Sequence, residues 1–241
     1  MTTQKSLTRK IAMVTGASRG IGRCAAQQLA DAGATVILTA TNPESLTTVA
    51  AESGSACSAF AADLVDELAI EALIAHVKAT HGRLDILVNN AGVTFSGDIE
   101  STTVADWDGC MAVNARGPFL LCRAALPLLR LGHDPCIVNI SSVVGIKGYA
   151  QQTAYTASKH ALRGFSLALA EELRPAGIRV HVICPGGVDT DMVQNVRPDI
   201  PKDELISPDE VAEAVLFLVA RSGQGLVDEI RLRRRTSAPW F

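Results

Sequence analysis

No run of apolar residues in this chain reaches the ~18 that a membrane-crossing helix requires. Even the stretch 119–131 is interrupted by Arg123 and Arg130. Residues 1–10 are polar and lack the apolar core of a secretory leader, so no membrane partner and a cytoplasmic location are expected. The six cysteines (Cys24, Cys57, Cys110, Cys122, Cys136 and Cys184) form no C-x-x-C pair, and the five histidines are scattered. Neither a disulfide framework nor a metal site is therefore expected, and the thiols read as small, reduced core residues. A net charge of −3 supplies no field that would recruit nucleic acid. Aromatic residues make up only 4% of the chain, with two tyrosines, so a tyrosine inside a motif stands out. No repeat, low-complexity run or linker divides the 241 residues, which predicts one domain spanning 1–241 with a sizeable core.

What the chain does have is a glycine-rich turn between a strand and a helix. Residues 11–14 are an apolar run, Gly16, Gly20 and Gly22 follow, and residues 24–32 are helical in pattern. Such glycines let the backbone turn sharply and approach a ligand, and the free N–H groups of a helix start face an anion. An ordinary strand-to-helix turn would also use a glycine pair. The spacing G-x-x-x-G-x-G, with Ser18, Arg19 and Ile21 inside it, lacks the Lys-Ser/Thr of a P-loop and so disfavours ATP or GTP. A nucleotide diphosphate fits better.

Further strands are expected at 35–40, 84–88, 136–140, 178–183 and 226–232, with a third strand ending near 59–62 and Pro185 breaking the sixth. Helices are expected at 43–53, 66–81, 104–115, 117–131, 153–174 and 208–221, and 188–207 reads as an irregular lid. Strand alternating with helix predicts an α/β fold, a doubly wound, mostly parallel seven-stranded sheet with helices on both faces. Its ligand would lie beyond the C-terminal strand ends, which carry Thr15-Gly16, Ala40-Thr41, Asp63, Asn89-Asn90, Ser141-Ser142 and Pro185-Gly186. An acid about 20 residues beyond the glycines would hold the adenosine ribose of NAD. That count from Gly20 lands on Ala40, with no carboxylate on the strand. Arg19 and the hydroxyls of Thr39 and Thr41 could instead bind a 2′-phosphate, so the sequence leans to NADP(H) over NAD(H). Arg19 could equally point to solvent.

Tyr155 and Lys159 are one helical turn apart and share a face. A neighbouring ammonium favours the phenolate, which predicts a Tyr155 pKa lowered towards working pH. Ser142 could polarise a carbonyl oxygen, although a serine pair is more often a turn or a cap.

In these features the chain resembles the short-chain dehydrogenases/reductases over nearly its whole length. Thr15 to Gly22 matches T-G-x-x-x-G-x-G, Asn89-Asn90-Ala91-Gly92 matches N-N-A-G, and Val113-Asn114 matches the helix asparagine. Ser142 with Tyr155-x-x-x-Lys159 matches the catalytic set, and Pro185-Gly186 the segment after the sixth strand. The resemblance implies a Rossmann-type fold and an NADPH-dependent reduction of a ketone to a secondary alcohol. Tyr155 would be the general acid, Lys159 would hold the nicotinamide ribose, and Ser142 would bind the substrate oxygen. Asn114 would anchor a water or tie two backbone segments together. Cofactor contacts would come from Gly16, Ser18, Arg19, Gly20, Ile21, Gly22, Ala40, Thr41, Asp63, Asn90, Gly92, Pro185, Gly186, Val188 and Thr190. A homotetramer is implied as well.

Within the family the likeness leans to 3-oxoacyl-(acyl carrier protein) reductases, and 3-oxoacyl-thioester reduction is the runner-up activity. Two departures disfavour a carrier-protein partner. The later long helix reads Ala170-Glu171-Glu172 where those enzymes present bases, and the C-terminus lacks V-x-G-G. A dinucleotide-binding protein without turnover, or a methyltransferase in the same crevice, stands further off. The Arg231 to Arg235 run, without aromatics between, reads as a solvated strand end. Trp240 and Phe241, in the tail 236–241, would be expected to dock on a neighbouring subunit. Phe95, Ile146, Tyr149 and Met192 are candidate pocket residues.

Overall fold

The computed structural model describes residues 6–239. The expected docking of Trp240 and Phe241 lies outside the described residues. In chain order the elements are β1 (Ile11–Thr15), α1 (Gly20–Asp31), β2 (Thr35–Thr39), α2 (Pro43–Glu52), β3 (Cys57–Ala59), α3 (Glu67–His81), β4 (Ile86–Asn89) and α4 (Val104–Met111). They continue with α5 (Gly117–Leu129), β5 (Cys136–Ile140), α6 (Thr153–Leu173), β6 (Arg179–Pro185), α7 (Asp191–Val196), α8 (Pro208–Ala220) and β7 (Glu229–Leu232). The strands form one seven-stranded sheet in the order β3-β2-β1-β4-β5-β6-β7, and every pairing is parallel. This is the doubly wound Rossmann-type sheet.

Alternate residues along each strand feed two separate cores, because successive side chains leave opposite faces of a sheet. Ala12 and Val14 pack with Leu29 of α1, Leu46 of α2 and Val215 of α8. Ile11 and Met13 pack with Leu73 of α3, Leu121 of α5 and Leu173 of α6. Local chemistry sets the helix ends. Asn42 accepts the Ser45 N–H with Pro43 at the first helical position, and Ser207 and Glu210 form a reciprocal capping box for α8. Gly82 closes α3 at φ 72°, a conformation that favours glycine.

β3 is a short edge strand, Cys57–Ala59, that ends where the sequence places its end. The structure corrects three sequence expectations. The expected helix over 104–115 ends at Met111 and passes through a π-helical stretch, Ala112–Arg116, into α5. Pro185 ends β6 without breaking it early, since the next N–H, that of Gly186, bonds Leu232 O at 2.8 Å. The lid is partly ordered, by α7 and by a single 3-10 turn over Lys202–Glu204.

Candidate active site

The C-terminal strand ends open into a cleft of about 930 Å³. At its floor the turn after β1 is held by Thr15, whose Oγ1 accepts the N–H groups of Asn90 and Ala91, both at 2.9 Å. Asn90 returns its Nδ2 to Thr15 O at 2.9 Å and to Gly16 O at 3.2 Å. Gly16 turns at φ 62°, and a Cβ there would stand 2.9 Å from Ala91 Cα. Gly16, Ser18, Arg19, Gly20 and Ile21 line the cleft. Gly22 does not. A Cβ at that position would lie 2.3 Å from Gly16 O, so its smallness serves the close approach of α1 to the turn.

Ala40 and Thr41 line one side with Asp63, and Pro185, Gly186, Val188 and Thr190 line the other. Thr190 sits above the glycine turn, its Cγ2 3.1 Å from where a Gly20 Cβ would be. Arg19 reaches Asp191 of α7 at 3.1 Å, an ion pair open to solvent. Of the candidate pocket residues, Tyr149 and Met192 line the cleft, whereas Phe95 and Ile146 do not.

A pyrophosphate is tested against two features of this floor. The start of α1 has no side-chain cap on its N–H groups and no acid in its first turn, so nothing from the protein competes with an anion there. Beside it, at the end of β2, Thr39 Oγ1 is buried without a partner among the described residues. Both fit a dinucleotide.

At the other end of the cleft, α6 brings Tyr155 and Lys159 beside Ser142 and Gly92. Lys159 is buried, and its Nζ donates to Ile140 O at 2.9 Å and stands 5.9 Å from the centre of the Tyr155 ring. Ser142 Oγ accepts the Val144 N–H at 3.3 Å and lines the cleft with Tyr155, whereas Ser141 turns its Oγ to Lys159 O at 3.1 Å. Asn114 lies behind the cleft wall on the π-helical stretch.

The expected lowering of the Tyr155 pKa is reversed. Desolvation of the phenol pushes it up to about 12, and the nearby Ser142 hydroxyl only partly opposes this. Burial also pulls Lys159 down to about 8, which weakens the cation that was expected to favour the phenolate. A second correction concerns the arginine run. Arg231 pairs with Glu229 at 2.6 Å, but Arg234 turns into the cleft and pairs with Glu204 at 3.1 Å.

Sequence reasoning missed a polar ladder that seats α6. Asn89 Nδ2 donates to Asn139 Oδ1 and Asn139 Nδ2 donates to Ser166 Oγ, each at 2.7 Å, across β4, β5 and α6. Polar residues inside otherwise apolar strands were the available signal.

A dinucleotide crevice with a half-buried phenol, a serine hydroxyl and an ammonium at one end defines an oxidoreductase site of the nicotinamide-dependent class. A model of the short chain dehydrogenase family matches residues 10–201. The chain is 36% identical over 236 residues to the 3-oxoacyl-(acyl-carrier-protein) reductase FabG of Aquifex aeolicus, covering 93% of this chain and 95% of that one. A metagenomic short-chain oxidoreductase solved with NADP superposes with a TM-score of 0.82 at 39% identity, covering 94% of this chain and 99% of that one. An alcohol dehydrogenase from the archaeon Thermococcus sibiricus, complexed with 5-hydroxy-NADP, superposes at 0.88 with 27% identity, covering 96% and 99%. The chain belongs to the short-chain dehydrogenase family, close to its 3-oxoacyl-(acyl-carrier-protein) reductases. It is an oxidoreductase that acts on carbonyl and CH–OH groups with a nicotinamide dinucleotide. Among the described residues no helix is long and apolar enough to cross a membrane.

Proposed function

We propose that the protein is an NADPH-dependent carbonyl reductase that converts a ketone to a secondary alcohol. The observation that carries this is the half-buried Tyr155 phenol, which shares with Ser142 and Lys159 the cleft that continues from the glycine turn. When bound, the reduced nicotinamide supplies hydride. Tyr155 holds its proton at neutral pH and gives it to the substrate oxygen, while Ser142 donates a hydrogen bond to that oxygen. Lys159 places one proton on Ile140 O and keeps its others for a ribose hydroxyl. Asn114 sets the turn of α6 that carries Tyr155.

NADP preference is supported by the absence of a carboxylate at the end of β2 and by the solved relatives complexed with NADP and 5-hydroxy-NADP. Arg19 and Thr41 would meet the 2′-phosphate. In this reading residues 1–241 act as one domain in a homotetramer, for which exposed Trp107, Phe119 and Leu167 supply apolar surface. Six free thiols suit a cytoplasmic location.

A second reading, reduction of 3-oxoacyl thioesters, is favoured by the FabG relatives. Assay of ketones, 3-oxoacyl thioesters and alcohols with NADPH and NADH decides between the two. Ketone turnover with NADPH that Tyr155→Phe lowers by about 10²–10⁴, with NADPH binding nearly intact, is the expected result. Activity on thioesters alone would favour the second reading.

A further inference from the structure

Beyond β7 the chain folds back and brings a cation to the cleft. Arg234 lines the cavity with its side chain only 17% exposed. Its Nη1 donates to Glu204 Oε2 at 3.1 Å and to Thr236 Oγ1 at 3.3 Å, and Thr236 donates to the same Glu204 oxygen at 2.7 Å. Ser237 closes the turn, its N–H and Oγ both reaching Arg234 O, at 3.1 and 2.9 Å. Gly187, just after the Pro185-Gly186 segment, makes room for this approach. A Cβ there would stand 3.1 Å from Leu205 Cδ2 and 3.5 Å from Arg234 Cδ.

The guanidinium is thus gripped through one nitrogen. Among the described residues nothing accepts a hydrogen bond from its Nε or Nη2. Neither nitrogen is sealed in the protein, so both face the open space of the cleft, and the planar fork of an arginine matches a carboxylate. Of the other arginines of the cleft, Arg197 gives both Nε and Nη2 to Asp199 at 2.8 and 2.7 Å. Arg19, paired with Asp191 through Nη1 at 3.1 Å, sits on the glycine turn.

We propose that Arg234 is a specificity-determining residue that receives a carboxylate of the substrate, so that oxocarboxylates are the substrate class. This rests on the ketone-reductase reading. Glu204 holds Nη1, which leaves Nε and Nη2 as a fork for the two oxygens of one carboxylate.

The test is steady-state reduction, with NADPH, of linear oxocarboxylates bearing the ketone at carbons 3 to 6, each against its methyl ester, with acetoacetyl-coenzyme A as control. Wild type, Arg234→Ala, Arg234→Lys and Glu204→Gln are compared. The preferred acid is expected to exceed its ester in kcat/KM, and Arg234→Ala to raise the acid's KM about tenfold or more while the ester moves less than about twofold. Arg234→Lys recovers part of the loss. Glu204→Gln lowers the acid's KM, because it frees the guanidinium from its counter-ion.

If Arg234 only clasps the tail to the lid, Arg234→Ala and Glu204→Gln impair acid and ester alike, and the inference falls. Equal use of acid and ester by wild type overturns it while the reductase reading stands, and so does a loss confined to acetoacetyl-coenzyme A. No turnover of any ketone brings down both. Should Arg234→Ala fail to fold, Glu204→Gln decides alone: a lower KM for the acid supports the inference, and an unchanged or higher one overturns it.

Discussion

Asn114 and Val93 exchange two hydrogen bonds of 2.8 Å each, the Val93 N–H donating to Oδ1 and Nδ2 donating to Val93 O. Nδ2 also donates to Ser158 Oγ at 2.9 Å, and Ser158 donates to Tyr155 O at 2.8 Å. One amide therefore ties the segment after β4 to the helical turn that carries the phenol. Asn114→Ala leaves these buried groups unpaired and is expected to cost about 2 kcal/mol. In a chain of this size that lowers Tm by roughly 4–8 °C. Turnover should fall more than the loss of folded protein explains, because the Tyr155 turn loses its anchor. A thermal melt together with kcat on the folded fraction checks this. An unchanged Tm would leave Asn114 with no structural role.

Burial of Lys159 and Tyr155 predicts a stability profile with two limbs. Lys159 sits at about 8 in the folded chain against an ordinary 10.5. Between those values the unfolded chain binds a proton that the folded one does not, so stability rises with pH. Tyr155 sits at about 12 against 10.0, so from pH 10 upward the folded chain keeps a proton that the unfolded one has lost, and stability falls. Lys159→Met removes the first limb. The variant should be inactive yet melt higher than wild type at pH 7, with the difference shrinking as pH approaches 10.5. Melts of both proteins from pH 7 to 10.5 measure it, and a variant less stable at pH 7 would contradict the assignment.

Much of this architecture can be read from residue order, because most buried parallel strands are short apolar runs and α2, α3, α4 and α8 each begin at a side-chain cap. β5 matches its expected span, 136–140, since Cys136 to Ile140 is bounded by Pro135 and Ser141. What could not be read depends on contacts distant in sequence. The π-helical stretch at Ala112–Arg116 has no local marker. The direction of the Tyr155 shift depends on how deeply α6 seats the phenol, which spacing alone does not reveal. Arg234 looked solvated because its partner, Glu204, lies 30 positions away on the lid.

Gly22 offers a test of close approach that is separate from ligand contact. A Cβ there would stand 2.3 Å from Gly16 O and 2.5 Å from Asn90 Nδ2, so both the turn and its amide clamp must move. Gly22→Ala is expected to destabilise the fold by about 1–3 kcal/mol, as overpacking does, and to weaken dinucleotide binding by spreading the turn. Chemical denaturation and NADPH titration measure the two effects. Wild-type values for both would mean that α1 shifts freely.

Cofactor choice turns on the end of β2. Ala40 lines the cleft where a carboxylate would accept hydrogen bonds from an adenosine ribose and repel a 2′-phosphate. Nothing acidic occupies that strand, Thr39 Oγ1 is idle among the described residues, and Arg19 is the cation within the glycine turn. Ala40→Asp should move the kcat/KM ratio from NADPH towards NADH by about tenfold or more, since one charge-assisted hydrogen bond gained and one like-charge contact imposed act in the same direction. Arg19→Ala should weaken NADPH and leave NADH nearly unchanged, at the cost of only an exposed ion pair to Asp191. Parallel initial rates with the two cofactors test both variants. If wild type already uses NADH as readily as NADPH, Ala40 does not set the preference.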